Sequence, residues 1–180
     1  QQCADAVIRL RAEYLWTKGS QDRIAFHFTN GMLVPWSKYA SGQRVRVEGN
    51  RTRWVQASQP DSSRKRFRSY LSLVFMYAGT ASLQKELQGR EVAAIEAGDV
   101  LIQGGHPGHA VLVLDVAQNE RGETLILLGQ SYMPAQEFHL LINPDDPETS
   151  PWYRATALVD EGGLMTPEWG PFHATDLKKF

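Results

Sequence analysis

The chain has 180 residues, of which 42% are hydrophobic, and this length and composition predict one domain over residues 1–180 with one sizeable core. Its 19 basic and 20 acidic residues nearly cancel, so no net field favours nucleic acid or an anionic membrane as a partner. No run approaches the roughly 18 apolar residues that a membrane-spanning helix needs. The single cysteine, Cys3, excludes an internal disulfide and any metal site built from several cysteines.

Residues 3–17 are rich in alanine and leucine and end before a glycine, which predicts a first helix. Cys3, Val7, Leu10 and Tyr14 recur at helical spacing and predict its buried face. Cys3 then lies at the positive end of the helix dipole, a position that lowers the pKa of a thiol and favours the nucleophilic thiolate. The alternative is a buried cysteine without chemistry, because free cysteine is among the most buried residue types. The sequence starts inside this helix, so we expect further residues upstream.

Residues 43–56 alternate polar and apolar side chains around a Gly-Asn pair, which predicts an exposed hairpin. Its four arginines, with the basic residues of 64–68, suit an anionic ligand, but nearby acidic residues favour a solvated face. The remaining elements predicted ahead of the central strands are a short strand at 23–30 and helices at 35–40, 65–78 and 83–87.

A histidine begins the first strand of a predicted central hairpin. His109 opens an apolar run to Val116, residues 119–122 form a polar turn, and residues 123–132 return with Gln130 near their end. Cross-strand neighbours lie within about 5 Å of each other, so the hairpin predicts a candidate base beside an orienting amide. Asp115 is a weaker candidate for that role, since it lies six residues further along the same strand.

A strand at 100–103 precedes this hairpin and another is predicted at 137–142. The order of helix, small β elements, helix and antiparallel strands predicts an α+β fold with N-terminal helices packed on a small antiparallel sheet. His106 and His109 with Asp115 have the composition of a zinc site, but a glycine-rich turn gives them no common face. We therefore expect neither a metal nor a cofactor.

Three segments carry a resemblance to a known superfamily. A lone cysteine opening a helix, then "GDVLIQGG", "GHAVLVLDV" and "LLGQSYM", resembles the papain-like cysteine hydrolases. "AGDVLI" ahead of the histidine is similar to the NlpC-type and CHAP-type amidases that cut cell-wall peptides. The whole chain, from "QQCADAVIRLRAEYLW" to "QSYMPAQ", also resembles a bacterial family of secreted or lipid-anchored proteins with no assigned function. The resemblance implies a papain-like fold, a cell-envelope or secreted location, and a peptide or cell-wall fragment as substrate.

The same resemblance implies roles for individual residues. Cys3 is the expected nucleophile that attacks an amide carbonyl, His109 the base that takes its proton and passes it to the leaving amine, and Gln130 the group that holds the imidazole. Gln2 is the expected donor to the oxyanion, although its spacing to the cysteine is not that of the superfamily.

One departure from the NlpC pattern leaves two alternatives. In those enzymes the cysteine opens the helix just before the "GD" strand, and an alignment through "AG" puts that position near Phe67. Either Cys3 supplies the thiol from an earlier helix, with residues 20–63 as an insertion, or the fold has lost its nucleophile. The function is then a cysteine amidase or peptidase, or a catalytically inactive domain that binds a peptide or glycan in an aromatic-rich cleft.

Overall fold

A computed structural model describes residues 2–180 and has the α+β fold that the sequence predicts. The α-helices of the described residues are α1, Cys3–Thr17; α2, Trp36–Ala40; α3, Arg64–Tyr77; and α4, Thr80–Glu86. Short 3₁₀ turns lie at Gln21–Arg23, Val92–Ala94, Ala155–Leu158 and Ala174–Asp176. The strands are β1, Ala25–His27; β2, Leu33–Pro35; β3, Gln43–Glu48; β4, Arg51–Gln56; β5, Gln88–Gly89; β6, Val100–Gln103; β7, His109–Gln118; β8, Thr124–Gln130; β9, His139–Leu140; β10, Trp152–Arg154; and β11, Leu177–Lys179.

The predicted central hairpin is the middle of an antiparallel sheet of seven strands in the order β10-β8-β7-β6-β11-β5, with β9 also paired to β8. His109 pairs with Gln103 of β6 at the start of β7, and Leu112 lies opposite Gly129 of β8. The register shifts between Val113 and Asp115, where β7 bulges. The ends of β6 and β8 therefore flank His109 on its two sides.

The sheet has an apolar core on each face because successive side chains of a strand point to opposite sides. One face, which packs on α1 and α3, carries Val100, Ile102 and Ala110, and the other carries Leu101, Val111, Val113 and Leu177. Segments after β8 cover the second face, including the 3₁₀ turn Ala155–Leu158. The N-terminal helices thus pack on an antiparallel sheet, as predicted.

Helix α1 lies against the sheet through a face that differs from the predicted one. Its buried side chains are Ala4, Ala6, Val7, Ile8, Ala12 and Leu15. Tyr14, predicted to face inward, is 54% exposed and lies beside the cations of Arg11 and Lys18. The small alanines allow a close approach to the strands, so the contact face turns towards them and away from the larger tyrosine.

Some smaller elements differ from their predicted bounds. The strand predicted at 137–142 is only two residues long, because β10 occupies the edge of β8 at residues 125–127 and leaves Gly129 and Gln130 for β9. Helix α4 begins at Thr80 and not at residue 83, since the hydroxyl of Ser82 accepts the backbone N–H of Gly79. Among residues 2–180, none of the helices has the length and hydropathy that a transmembrane span requires.

Candidate active site

A cleft of about 650 Å³ brings the N-terminus of α1 together with the start of β7. Cys3 and His109 both line it, as do residues 75–80, which join the end of α3 to the start of α4, and the loop 105–108. Two side chains that follow β8, Tyr132 and Met133, and the C-terminal Trp169 complete its wall. Residues that are far apart in the sequence therefore meet at one edge of the sheet.

The loop ahead of His109 fits closely against the start of α4. A Cβ atom on Gly108 would lie 2.4 Å from Oγ1 of Thr80 and 2.8 Å from the carbonyl oxygen of Gln103, so only glycine fits there. Thr80 also donates from its hydroxyl to the carbonyl oxygen of Gly105 at 3.4 Å. These contacts fix the direction in which β7 begins and therefore the position of His109.

His109 and Gln130 form the hydrogen bond that the hairpin predicts, with 2.6 Å between Nε2 of the imidazole and Oε1 of the amide. Both side chains are buried, at 2% and 1% exposure. The amide nitrogen of Gln130 donates to Oε2 of Glu168 at 2.7 Å, so its oxygen is the atom that faces the histidine. Because that oxygen can only accept, Nε2 of His109 carries the proton and Nδ1 of the neutral ring is its basic nitrogen.

Asp115, the weaker candidate for orienting His109, is exposed beyond the bulge and accepts the backbone N–H of Val116. Within residues 2–180, no three histidine, cysteine or acidic side chains come together as a metal site, and His106 is exposed on its loop. Gln130 is therefore the hydrogen-bonding partner of the imidazole.

Aromatic side chains enclose the His109 ring. The ring centroids of Tyr132, Trp169 and Phe172 lie 5.1, 5.4 and 6.5 Å from that of His109. Trp169 is itself fixed, because its indole N–H donates to Oε1 of Gln103 at 2.9 Å. Neither Trp169 nor Glu168 was predicted to belong to the site, since more than 30 residues separate them from the hairpin and no motif marks them.

The thiol of Cys3 is half-buried and lies at the first residue of α1, as predicted. Burial raises the pKa of Cys3, although hydrogen bonds from the backbone of Ala110 and Ala4 act in the opposite direction. The expectation of a lowered thiol pKa was therefore wrong, because desolvation outweighs the backbone donors at the helix N-terminus. The hydrogen bond to Ala110 also shows that the thiol lies against the residue that follows His109.

Burial lowers the pKa of His109, while the hydrogen bond to Gln130 and the negative charge of Glu168 oppose that change. With the thiol pKa raised and the imidazole pKa lowered, both groups are neutral in the resting protein near neutral pH. A reaction between two neutral groups needs general-base transfer of the thiol proton as the sulfur attacks, and it does not start from a preformed ion pair.

Phe67, the position reached by the alternative alignment, lies in the aromatic core. It is 1% exposed, and its ring packs 4.4 Å from Trp16 and 5.4 Å from Trp36 between centroids. It does not belong to the lining of the cleft, whereas Cys3 on α1 does. Of these two candidate positions, only Cys3 on helix α1 therefore shares the cleft with His109.

Gln2, the expected oxyanion donor, precedes α1 and lines the cleft beside Cys3. Its backbone N–H donates to the carboxylate of Asp5 at 3.2 Å.

The arginine-rich hairpin of β3 and β4 lies outside the cleft, and Glu48 there pairs with both Arg46 and Arg53. Its residues do not line the cleft.

The chain thus places a cysteine and a histidine in the lining of one cleft of an α+β domain, with the amide of Gln130 bonded to the imidazole. Its sequence matches a family model described as Domain of unknown function (4846) over residues 1–179, and the chain belongs to that family. No curated protein and no solved structure matches it.

Proposed function

We propose that this protein is a cysteine hydrolase of the papain-like superfamily that cleaves an amide bond, with Cys3 as nucleophile, His109 as base and Gln130 as orienting residue. The observation that carries the proposal is the buried hydrogen bond between His109 and Gln130 beside a cleft that Cys3 also lines. An imidazole held by an oriented partner next to a thiol at a helix N-terminus is the arrangement that nucleophilic catalysis by cysteine requires.

The proposed reaction begins when Nδ1 of His109 takes the proton of the Cys3 thiol while the sulfur attacks the substrate carbonyl. The C–N bond of the resulting tetrahedral intermediate then breaks, the imidazolium gives its proton to the leaving amine, and a thioester remains on Cys3. Water attacks the thioester with the same histidine as base, which releases the carboxylic acid and restores the thiol. Gln130 accepts from Nε2 throughout and stabilises the imidazolium.

The side chains of the cleft favour a peptide substrate with an apolar side chain near the cleaved bond. Met76, Tyr77 and Met133 line the cleft and are 66, 36 and 63% exposed, so a ligand can cover them. No lysine or arginine occurs among the described residues that line it. A cell-wall peptide and a location in the cell envelope, which the resemblance implies, belong to the same proposal.

A second candidate is a catalytically inactive domain that binds a peptide or glycan in this cleft. The raised pKa of Cys3, caused by its burial, favours this alternative because it keeps the thiol protonated. The exposed apolar side chains of the cleft serve either function.

Turnover of peptides separates the two candidates. Cell-wall peptides and synthetic peptides with Leu, Phe or Asp next to the scissile bond are incubated with the protein, and new amines and the intact protein mass are measured. We expect cleavage of the apolar peptides and a thioester on Cys3, both abolished by Cys3→Ala and His109→Ala and retained in His173→Ala. Saturable binding of these peptides without cleavage by the unmodified protein would establish the binding domain and refute the hydrolase.

A further inference from the structure

A chain of hydrogen bonds continues from the imidazole past Gln130 to Glu168. The amide nitrogen of Gln130 donates to Oε2 of Glu168 at 2.7 Å, on the side opposite to His109. A primary amide has one donor end and one acceptor end, so the partner at one end decides which atom faces the other. Because an ionised carboxylate only accepts, Glu168 directs the NH₂ group of Gln130 to itself and the oxygen to His109.

The segment that carries Glu168 is held by bonds on both sides of the residue. The backbone N–H of the buried Thr166 donates to the carbonyl oxygen of Trp169 at 2.9 Å, and its hydroxyl donates to the same oxygen at 2.6 Å. Tyr132 donates from its hydroxyl to the carbonyl oxygen of Glu168 at 3.1 Å. The turn thus presents the carboxylate to Gln130 while Trp169 packs on the histidine ring.

We propose that Glu168 is a positioning residue that selects the tautomer of His109 through the amide of Gln130. The inference rests on the proposed function, because it explains how Nδ1 becomes the nitrogen that accepts the thiol proton. If the amide of Gln130 turned over, its NH₂ group would face Nε2, the ring would carry its proton on Nδ1, and the base would be lost. Glu168 does not line the cleft, and its hydrogen bond to the amide nitrogen of Gln130 prevents this flip.

The charge of Glu168 adds a second effect with a definite sign. The titratable groups near His109 are Cys3 and Asp5 from α1, His106 on the loop, Tyr132 after β8, and Glu168. The negative charge of Glu168 raises the pKa of His109 against the larger effect of burial. Removal of that charge therefore lowers the pKa of His109 further and weakens it as a base.

Nitrogen-15 NMR of the full chain tests the proposal without any substrate. Long-range proton–nitrogen spectra above about pH 7.5, where neutral imidazole dominates, report which ring nitrogen carries the proton, and His109→Gln identifies the signals. We expect the Nε2–H tautomer in the unmodified protein and a substantial Nδ1–H population in Glu168→Ala. Glu168→Gln keeps an acceptor but loses the charge, so we expect the same tautomer with a lower His109 pKa.

Glu161→Gln is the matched control, because it removes an exposed carboxylate from the same C-terminal segment and should change neither quantity. An unchanged tautomer in Glu168→Ala would overturn the positioning role, whatever happens to the pKa of His109. Glu168 is exposed, so Glu168→Ala should keep the fold, which circular dichroism checks, and Glu168→Leu repeats the tautomer measurement should the alanine variant fail to fold. A tautomer change in a protein that cleaves no peptide would uphold the role of Glu168 and reject the hydrolase, so the two failures are distinguishable.

Discussion

The side chain of Gln130 joins the buried imidazole of His109 to the exposed carboxylate of Glu168 with one amide, which a packing residue of the same size cannot do. Its oxygen accepts from His109 and its nitrogen donates to Glu168, and the side chain is 1% exposed. A buried polar group that loses its partner costs about 1–3 kcal/mol, and without this amide the buried ring N–H of His109 is the group that loses its partner. The residue thus couples the stability of the site to the orientation of the base.

Gln130→Ala should leave the fold intact but lower the free energy of unfolding by about 1–3 kcal/mol, because the buried imidazole loses its hydrogen-bonding partner. The rate of Cys3 alkylation near neutral pH should fall about tenfold, since the base is no longer oriented. Urea unfolding and timed mass spectrometry measure the two quantities. Gln118→Ala, at the exposed end of β7, is the control. An unfolded variant, or an unchanged alkylation rate, would make Gln130 a packing residue only.

At the scale of the elements, the site depends on α1 lying across the strand that begins with His109. The thiol at the helix start meets the backbone of Ala110 on that strand. Helix α3 has a different task, because Phe67, Tyr70 and Val74 are buried on its inner face. Helix α1 therefore carries the thiol, while the inner face of α3 forms the aromatic core and only its last turn reaches the cleft.

Phe67→Leu tests this division. Complete truncation of a buried phenylalanine costs about 3–5 kcal/mol, so the leucine variant should lose a smaller but measurable part of that stability. The alkylation rate of Cys3 at fixed pH should stay within a factor of about two, because the residue lies outside the cleft. Urea unfolding and mass spectrometry provide both numbers. A large change in thiol reactivity would place Phe67 in the working site and count against the role of α1.

The elements with a strong local pattern were predictable from the sequence. The apolar periodicity of residues 3–17 and the β-branched runs around the turn at 119–122 gave α1, β7 and β8, and hence the bond from His109 to Gln130. The closing strand β11 was not predicted, because three residues carry no readable alternation. Glu168 and Trp169 were missed for a related reason, since only tertiary contacts bring a polar loop to the hairpin.

The direction of the thiol pKa also lay beyond sequence reasoning. The helix N-terminus was readable in the sequence, but the burial that outweighs it depends on the surrounding fold.

At the scale of the whole molecule, the shifted pKa values of Cys3 and His109 link the site to the stability of the fold. A group whose pKa differs between folded and unfolded chains makes the free energy of unfolding depend on pH.

The free energy of unfolding should be highest between about pH 6.5 and pH 8.5, the ordinary pKa values of histidine and cysteine. As the pH falls below about 6.5, the histidine of the unfolded chain binds a proton, whereas buried His109 in the folded chain does not. The free energy of unfolding therefore decreases until the pH reaches the lowered pKa of folded His109. As the pH rises above about 8.5, the thiol of the unfolded chain ionises, whereas that of folded Cys3 does not. The free energy of unfolding therefore decreases until the pH reaches the raised pKa of folded Cys3.

Urea unfolding between about pH 5 and pH 9.5 measures this profile while avoiding most tyrosine ionisation. Cys3→Ser should flatten the alkaline side and His109→Gln should reduce the slope on the acidic side, because each removes one of the two groups. If both variants show the same dependence of the free energy of unfolding on pH as the unmodified protein, neither Cys3 nor His109 has a shifted pKa in the folded chain.

Alkylation of the native protein by iodoacetamide tests the central claim, that His109 acts as the base for Cys3. A single mass increase reports the reaction, because the chain has one cysteine. We expect labelling without denaturant, a midpoint above the roughly 8.5 of an ordinary thiol, and a rate between about pH 7 and pH 8 that His109→Ala lowers several-fold and His173→Ala leaves unchanged. Labelling that occurs only in denaturant, or at a rate that ignores His109, would contradict the claim and leave Cys3 as a core residue of a binding domain.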